Sequence, residues 1–171
     1  MVAAAPKDER IDRWRNLGLQ KWFGEFSERG LRVLGRRYEK LEPASSGTLF
    51  VECRLGQEFL DDAPGNDMRI SCGHSTWAQG WPGVRKLVLC PKWAMEKGPD
   101  ANMERVQSIV HEAMHYLGMQ DMSVQVTNSS GKTERKKAYR ETYAQLLAQE
   151  RPGAARFNAE NLGYFAVSRL P

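Results

Sequence analysis

The residues best suited to chemistry lie in one short segment, His111-Glu112-Ala113-Met114-His115, which holds two of the chain's three histidines. On an α-helix, side chains four residues apart lie on the same face, so both imidazoles can bind one metal ion. Glu112 follows His111 by one helical step, where its carboxylate can accept a proton from an activated water molecule. The spacing therefore predicts a zinc site with Glu112 as the general base.

The residues around this segment favour a helix that carries it. Residues 103–117 (MERVQSIVHEAMHYL) place apolar side chains at helical spacing along one stripe. Asp100 or Asn102 is a suitable N-cap. Gly118 is suited to end the helix in a left-handed conformation.

A turn at Gly118 predicts the third metal ligand. It lets the chain fold back, so that Asp121, six residues after His115, reaches the same point as the histidines. A catalytic zinc ion takes three protein ligands through nitrogen or oxygen and keeps one position open. We therefore predict that His111, His115 and Asp121 bind one Zn²⁺. The alternative is a buried helix whose two histidines are merely hydrogen-bonded.

Length and composition predict a single domain over residues 1–171. It comprises N-terminal helices (10–40), a β-rich part (48–97), and a part with the zinc helix, a loop and a C-terminal helix (100–171). With 41% hydrophobic and 27% charged residues, the chain is typical of soluble globular proteins. No run of 18 apolar residues is present, so we expect no membrane span. Acidic residues are interleaved with the N-terminal arginines, so we expect a solvated helix face there rather than a nucleic-acid site.

Strands and the remaining elements are predicted from apolar runs between turn residues. The strand candidates are residues 48–55, 68–72 and 85–90. The polar stretch 123–137 is predicted to be an exposed loop, followed by a final helix over 138–149. We expect a monomer.

The three cysteines, Cys53, Cys72 and Cys90, lack CxxC spacing, so a structural zinc site is not expected. Cys72 and Cys90 flank a stretch rich in glycine and tryptophan that is typical of a hairpin or long loop. A disulfide that closes this stretch and three reduced cysteines are equally compatible with the sequence.

Several segments together resemble the aspzincin peptidases, the group of deuterolysin and the lysine-specific metalloendopeptidases. They are HEAMH, the Gly-Met-Gln-Asp of residues 118–121, NAENLGYF (158–165), KWFG (21–24) and VLCPKW (88–93). The resemblance runs from about residue 19 to residue 166. It implies a zincin-like α+β metallopeptidase domain with a small mixed sheet packed on the active-site helix. It also implies a zinc-dependent endopeptidase that acts on protein or peptide substrates.

The resemblance implies roles for two further residues. Family members have Gly-Thr-x-Asp and then a tyrosine, where this chain has Met119 and later Val124. An Ala-Tyr pair follows at Ala138-Tyr139. Tyr139 is therefore the candidate donor to the oxyanion, Tyr143 is the reserve candidate, and simple packing of Tyr139 is the alternative. Glu160 matches an acid that binds the substrate's basic side chain in lysine-specific members, although it can equally support the site or lie on the surface. The second acid is replaced by Gly163.

Bacterial proteins of this type often occur as toxin or effector domains. Because the N-terminus lacks the apolar core of a secretory signal, we expect a mature or excised domain, or a protein delivered by a secretion system. An inhibitor or immunity protein is then a candidate partner. A strand at 85–90 is predicted to be an edge strand that aligns the substrate.

Other readings remain open. Short metzincins of the snapalysin kind share the HExxHxxGxxD spacing and give the same ligands, but they do not account for NAENLGYF. Two different functions are a zinc-dependent peptidoglycan hydrolase and a non-catalytic basic binding module. The module would use the arginines of 10–40 and the lysines of 132–137.

Overall fold

The computed structural model describes residues 5–46, 50–55, 72–73, 75–81 and 84–169. Helices dominate this part of the chain, as the sequence predicted for its two ends. They are α1 (Lys7–Asn16), α2 (Leu19–Phe23), α3 (Glu28–Ser46), α4 (Pro91–Met95), α5 (Ala101–Tyr116), α6 (Arg140–Glu150), α7 (Pro152–Ala155) and α8 (Ala159–Val167). None of the described helices is both long and apolar enough to cross a bilayer.

Two small sheets accompany the helices. The strands are β1 (Phe50–Cys53), β2 (Ala78–Trp81), β3 (Val84–Leu89), β4 (Ser123–Thr127) and β5 (Thr133–Lys137). In the first sheet β3 is central, parallel to β1 and antiparallel to β2, which makes the sheet mixed. The strands predicted within 48–55 and 85–90 are confirmed as β1 and β3. The candidate at 68–72 lies outside the described residues except for Cys72.

The prediction of an exposed loop over 123–137 is wrong, because these residues form the antiparallel hairpin β4–β5. Only one face of the hairpin is covered, where Val124 packs against a cluster that includes Leu147 of α6. β4 (SVQVT) does alternate, but β5 (TERKK) is polar on both faces, which is why the sequence favours a loop there. Asn128 closes the turn by accepting hydrogen bonds from the backbone N–H groups of Ser130 and Lys132.

The main core joins the N-terminal helices to the helices at the end of the chain. Trp14 and Phe23 are fully buried with Met114 of α5 and Leu162 of α8. Burying a side chain of this size contributes about 1.5–3 kcal/mol. Gly24 is needed at the end of α2, because its φ is +72° and a Cβ there would lie 2.4 Å from the carbonyl oxygen of Ala148.

A disulfide links Cys72 to Cys90, so the paired alternative is the one that the structure shows. It connects the segment before β2 to the end of β3, and both cysteines are buried with Val88. Cys53 is a free, exposed thiol.

Candidate metal centre

Helix α5 carries the two histidines between α8 on one side and β2 on the other. Met114 anchors its apolar face in the main core, and this leaves both imidazoles buried but directed to one side. Asp100 occupies the N-cap position without making a side-chain capping bond, so neither predicted cap is realised as expected. The helix ends as predicted, with Gly118 left-handed at φ +80°.

The three predicted ligands converge on one point. Asp121 Oδ1 lies 3.2 Å from His111 Nε2 and 3.4 Å from His115 Nε2. The ligand atoms of the three residues all lie within 4.8 Å of one another. Ligands that each stand about 2 Å from a tetrahedral zinc ion are separated by about 3.3 Å. The arrangement therefore fits one metal ion.

The opposite ring nitrogens fix the state of both imidazoles. His111 Nδ1 lies 2.6 Å from Glu160 Oε2, and His115 Nδ1 lies 3.0 Å from the carbonyl oxygen of Met119. Both partners are acceptors, so each Nδ1 carries a hydrogen and, in the neutral ring, each Nε2 presents a lone pair. These lone pairs face Asp121 Oδ1, which is buried and has no hydrogen-bond partner among the described residues. A proton on one ring or a metal cation between the three groups would satisfy this oxygen, and the three ligand atoms lie close enough to hold a metal.

The electrostatics of the cluster attract positive charge. Burial lowers the pKa of His111, but Asp121 and Glu160 outweigh it and raise that pKa to about 10. Burial disfavours the charged form of Asp121, yet the two imidazoles hold the pKa of its carboxyl well below the usual range. The field that favours protons on the rings also favours a metal cation. Metal and protons therefore compete for these atoms.

Glu112 stands beside the ligand atoms without joining them. Its Oε1 lies 3.8 Å from His111 Nε2 and its Oε2 lies 3.9 Å from His115 Nε2. Burial raises the pKa of this carboxyl, and the two nearby imidazoles and the N–H of Gly80 offset only part of that rise. A raised pKa suits a group that must accept and then return a proton near neutral pH.

Gly80 is a site residue that the sequence did not reveal. Its backbone N–H donates to Glu112 Oε2 at 2.6 Å and so orients the carboxylate. A Cβ at Gly80 would lie 2.6 Å from the carbonyl oxygen of Glu112, so only glycine permits β2 to lie this close to α5. An isolated glycine in a strand is a known signal of close backbone approach. The composition of the stretch around Gly80 instead predicts a hairpin or long loop, with no strand at this position.

Tyr139 reaches the same centre from the other side. Its hydroxyl donates to Asp121 Oδ2 at 2.9 Å, and the side chain is 44% exposed. It immediately precedes α6, so the helix begins at Arg140, two residues later than predicted. Arg140 has φ +69°, a conformation rare outside glycine. Tyr143, the reserve candidate, packs against the cluster around Val124 and Leu147.

Glu160 is buried beneath His111, with 7% of the residue exposed. Beyond its contact with His111 Nδ1, it accepts hydrogen bonds from Gln107 Nε2 at 2.9 Å and from the backbone N–H of Arg140 at 2.8 Å. Both carboxylate oxygens thus have protein partners. Gly163 lies above Gln107 and His111, where a Cβ would stand 3.3 Å from the Gln107 amide nitrogen.

Two buried asparagines tie the Asp121 segment to α8. Met122 N–H donates to Asn158 Oδ1, and Asn158 Nδ2 donates to Asn161 Oδ1. Asn161 Nδ2 in turn donates to the carbonyl oxygens of Trp22 and Ala144. The NAENLGYF segment therefore supports the metal centre and joins it to the N-terminal helices.

The prediction that residues 85–90 form the edge strand is wrong. β3 lies between β1 and β2, so both of its edges are paired, and β2 is the strand nearest α5. The carbonyl oxygen of Trp77 accepts from Cys90 N–H on the β3 side. By alternation, Ala78 and Gly80 direct their backbone groups away from β3, toward the metal centre.

This fold is shared with a solved structure, a zinc peptidase from Grifola frondosa, with a TM-score of 0.60 and 18% sequence identity. The match covers 98% of this chain and 90% of that one. The chain matches no protein-family model and no curated protein sequence. The likeness establishes the fold class, and the chain is a zincin-like α+β domain, as predicted.

Proposed function

We propose that this protein is a zinc-dependent endopeptidase. One observation carries the proposal. His111 Nε2, His115 Nε2 and Asp121 Oδ1 converge on one point, and the carboxylate of Glu112 lies beside them without being one of the three ligands. The fold shared with a zinc peptidase supports it. A purely structural pair of histidines has no need of an unpaired buried Asp121 oxygen between the rings.

His111, His115 and Asp121 would hold one zinc ion, and each is oriented by a further contact. Glu160 orients His111, the Met119 carbonyl orients His115, and Tyr139 donates to the second oxygen of Asp121. Zinc bound there supplies a Lewis acid that makes water nucleophilic near neutral pH and polarises a carbonyl group. The two histidines and one carboxylate are ligands that zinc accepts readily.

Glu112 acts as the general base and then as the general acid. Its carboxylate takes a proton from the attacking water and passes it to the nitrogen of the leaving amine. The hydrogen bond from Gly80 N–H fixes one carboxylate oxygen, so the other is the one free to accept the proton. The raised pKa of this carboxyl makes it a better acceptor of that proton near neutral pH.

Tyr139 stabilises the charge that develops on the scissile carbonyl oxygen. Its hydroxyl already lies at the centre, and a rotation of the O–H bond turns the donor from Asp121 to an oxyanion beside it. Burial and the nearby carboxylate of Asp121 raise the pKa of Tyr139, so it remains protonated and able to donate.

The substrate lies in an open cleft of about 340 Å³, a volume within the range of ligand sites. Its lining residues are Gly80, His115, Met119, Gln120, Asp121 and Lys137. β2 forms one wall. The Gly80 N–H is taken by Glu112, so the backbone groups of Ala78 and the carbonyl of Gly80 are the outward groups that suit an extended peptide. β2 thus takes the aligning role that the sequence assigned to β3.

The test is metal analysis of the purified wild-type protein and of His115→Ala and Asp121→Ala, with cleavage of an unstructured protein measured in parallel. About one zinc per chain in the wild type, lost with proteolysis in both variants, is the expected result. Zinc at full occupancy in Asp121→Ala would remove Asp121 from the ligand set. Lysis of isolated cell walls without cleavage of protein would replace endopeptidase by peptidoglycan hydrolase.

We also propose that the protein works outside a reducing cytosol, as a secreted or delivered enzyme. The disulfide between Cys72 and Cys90 supports this, because such bonds persist in oxidising compartments. Mass spectrometry of unreduced peptides from protein isolated at its natural location tests it. A reduced Cys72 there would contradict the proposal.

A further inference from the structure

Lys137 is the one lysine or arginine among the described residues that line the cleft. It ends β5, and its Nζ donates to the carbonyl oxygen of Asp121 at 2.9 Å. An ammonium group has three donors. Two N–H donors of Lys137 therefore remain for another acceptor, and the side chain is exposed.

The carboxylates at and near the cleft already have partners in the proposed site. With zinc bound, its two positive charges would balance the carboxylates of Asp121 and Glu112, and Lys137 would be the exposed charge on the described cleft wall. Glu160 is buried behind His111 and is bonded to Gln107 and to the backbone of Arg140. Asp121, a predicted metal ligand, is the one acid among the described residues that line the cleft, so the described wall offers no other carboxylate to bind a basic side chain.

A second cation extends this charge along the hairpin. Arg135 lies two residues before Lys137 on β5, opposite Gln125, and is exposed. Residues two apart on a strand share a face and lie about 6.6–6.8 Å apart, which is also the repeat of an extended peptide. Lys136, between them, lies on the opposite face and pairs with Glu134. Lys137 and Arg135 thus form a cationic strip that leads away from the centre.

We propose that Lys137 is the specificity-determining residue and that it selects peptides with an acidic side chain next to the cleaved bond. Arg135 adds a weaker preference for a second acid two residues further along. This inference rests on the proposed function. The proposed preference for acidic side chains is the opposite of the preference for basic side chains that Glu160 suggested from the sequence.

The experiment compares cleavage of three peptides that differ at one position beside the scissile bond, with Glu, Gln or Lys. The bond is first located by mass spectrometry of a digested unstructured protein. We expect kcat/KM to fall in the order Glu, Gln, Lys, with about a threefold to tenfold difference between the first and the last. Lys137→Glu should reverse the order, and Lys137→Gln should abolish it.

Lys132→Glu is the matched control, because it makes the same charge change on the same hairpin, at the turn. It should leave the order unchanged. If Lys137→Glu and Lys132→Glu shift the preference equally, the effect is one of net charge and the proposal is overturned. An unchanged order in Lys137→Glu that still holds zinc overturns it as well. Failure of the wild type to bind zinc or cut any peptide would instead refute the proposed function.

Peptide binding provides a readout that does not need turnover. In the Glu112→Gln background, the Glu peptide should bind about threefold to tenfold more tightly than the Lys peptide in a fluorescence anisotropy titration. Adding Lys137→Gln should remove this difference while zinc content stays the same. Equal affinity for the Glu and Lys peptides before that addition would overturn the proposal.

Discussion

The metal centre has two halves that are built in different ways. The contiguous half runs from His111 to Asp121 and supplies the three ligand atoms and the base. The distant half consists of Gly80, Tyr139 and Glu160, which approach from a strand, a loop and another helix. In the proposed site, the contiguous half provides the atoms that would bind the metal, whereas the distant half orients them and sets their charge.

The two histidines show the difference most directly. His115 Nδ1 is held by the carbonyl of Met119, four residues along the same turn. His111 Nδ1 is held by the carboxylate of Glu160, 49 residues away. The first contact forms wherever α5 ends in its left-handed turn at Gly118, while the second requires α8 to be docked. One histidine is therefore positioned by local structure and the other by the tertiary fold.

The largest expected effect lies in the contiguous half. Glu112→Gln removes the proton acceptor but keeps the shape of the side chain and the acceptor oxygen for Gly80 N–H. We expect kcat to fall by about 10²–10⁴ with zinc content unchanged. Metal analysis and peptide cleavage on the same sample check this. Activity near that of the wild type would mean that another group takes the proton.

Tyr139→Phe tests the distant half. It removes one hydroxyl donor, so we expect kcat to fall by about 10² with KM and zinc content little changed. Tyr143→Phe is the matched control, since this ring packs in the cluster under the hairpin, and it should keep full kcat. Equal losses in the two variants would assign the effect to packing and remove Tyr139 from the reaction.

The same division explains what sequence can predict. The ligand set and the left-handed turn depend on residues within eleven positions, and spacing alone placed His111, His115 and Asp121 together. Gly80 depends on how closely β2 packs on α5. A glycine in a strand indicates a close backbone approach, but it does not say which element approaches. The hairpin β4–β5 was missed because β5 is polar on both faces. The aspzincin resemblance did identify Tyr139 and Glu160, but it did not reveal the contacts that each makes.

Glu160→Gln weakens the distant support of His111. The amide keeps the size of the side chain and loses the negative charge on His111 Nδ1–H, so the imidazole becomes a poorer ligand. We expect zinc affinity to fall by about 10–100-fold in a competition titration with a chelator. Glu104→Gln, an exposed change on α5, is the control and should leave affinity unchanged. If Glu160→Gln binds zinc as the wild type does, the position of His111 is set by α5 alone and the two halves are less distinct than the contacts indicate.

Gly80→Ala is specific to the contact between the halves. The added Cβ would lie 2.6 Å from the Glu112 carbonyl oxygen, so β2 must move away from α5. We expect a stability loss of about 1–3 kcal/mol in urea unfolding and a lower kcat, because Glu112 loses its N–H donor. Gly35→Ala within α3 is the matched control. Its Cβ would meet nothing within 4 Å, so helix propensity should stabilise the protein by about 0.5–1 kcal/mol with kcat unchanged. A Gly80→Ala variant with normal stability and kcat would show that the base is positioned by its own helix, and that the close approach of β2 serves only the substrate.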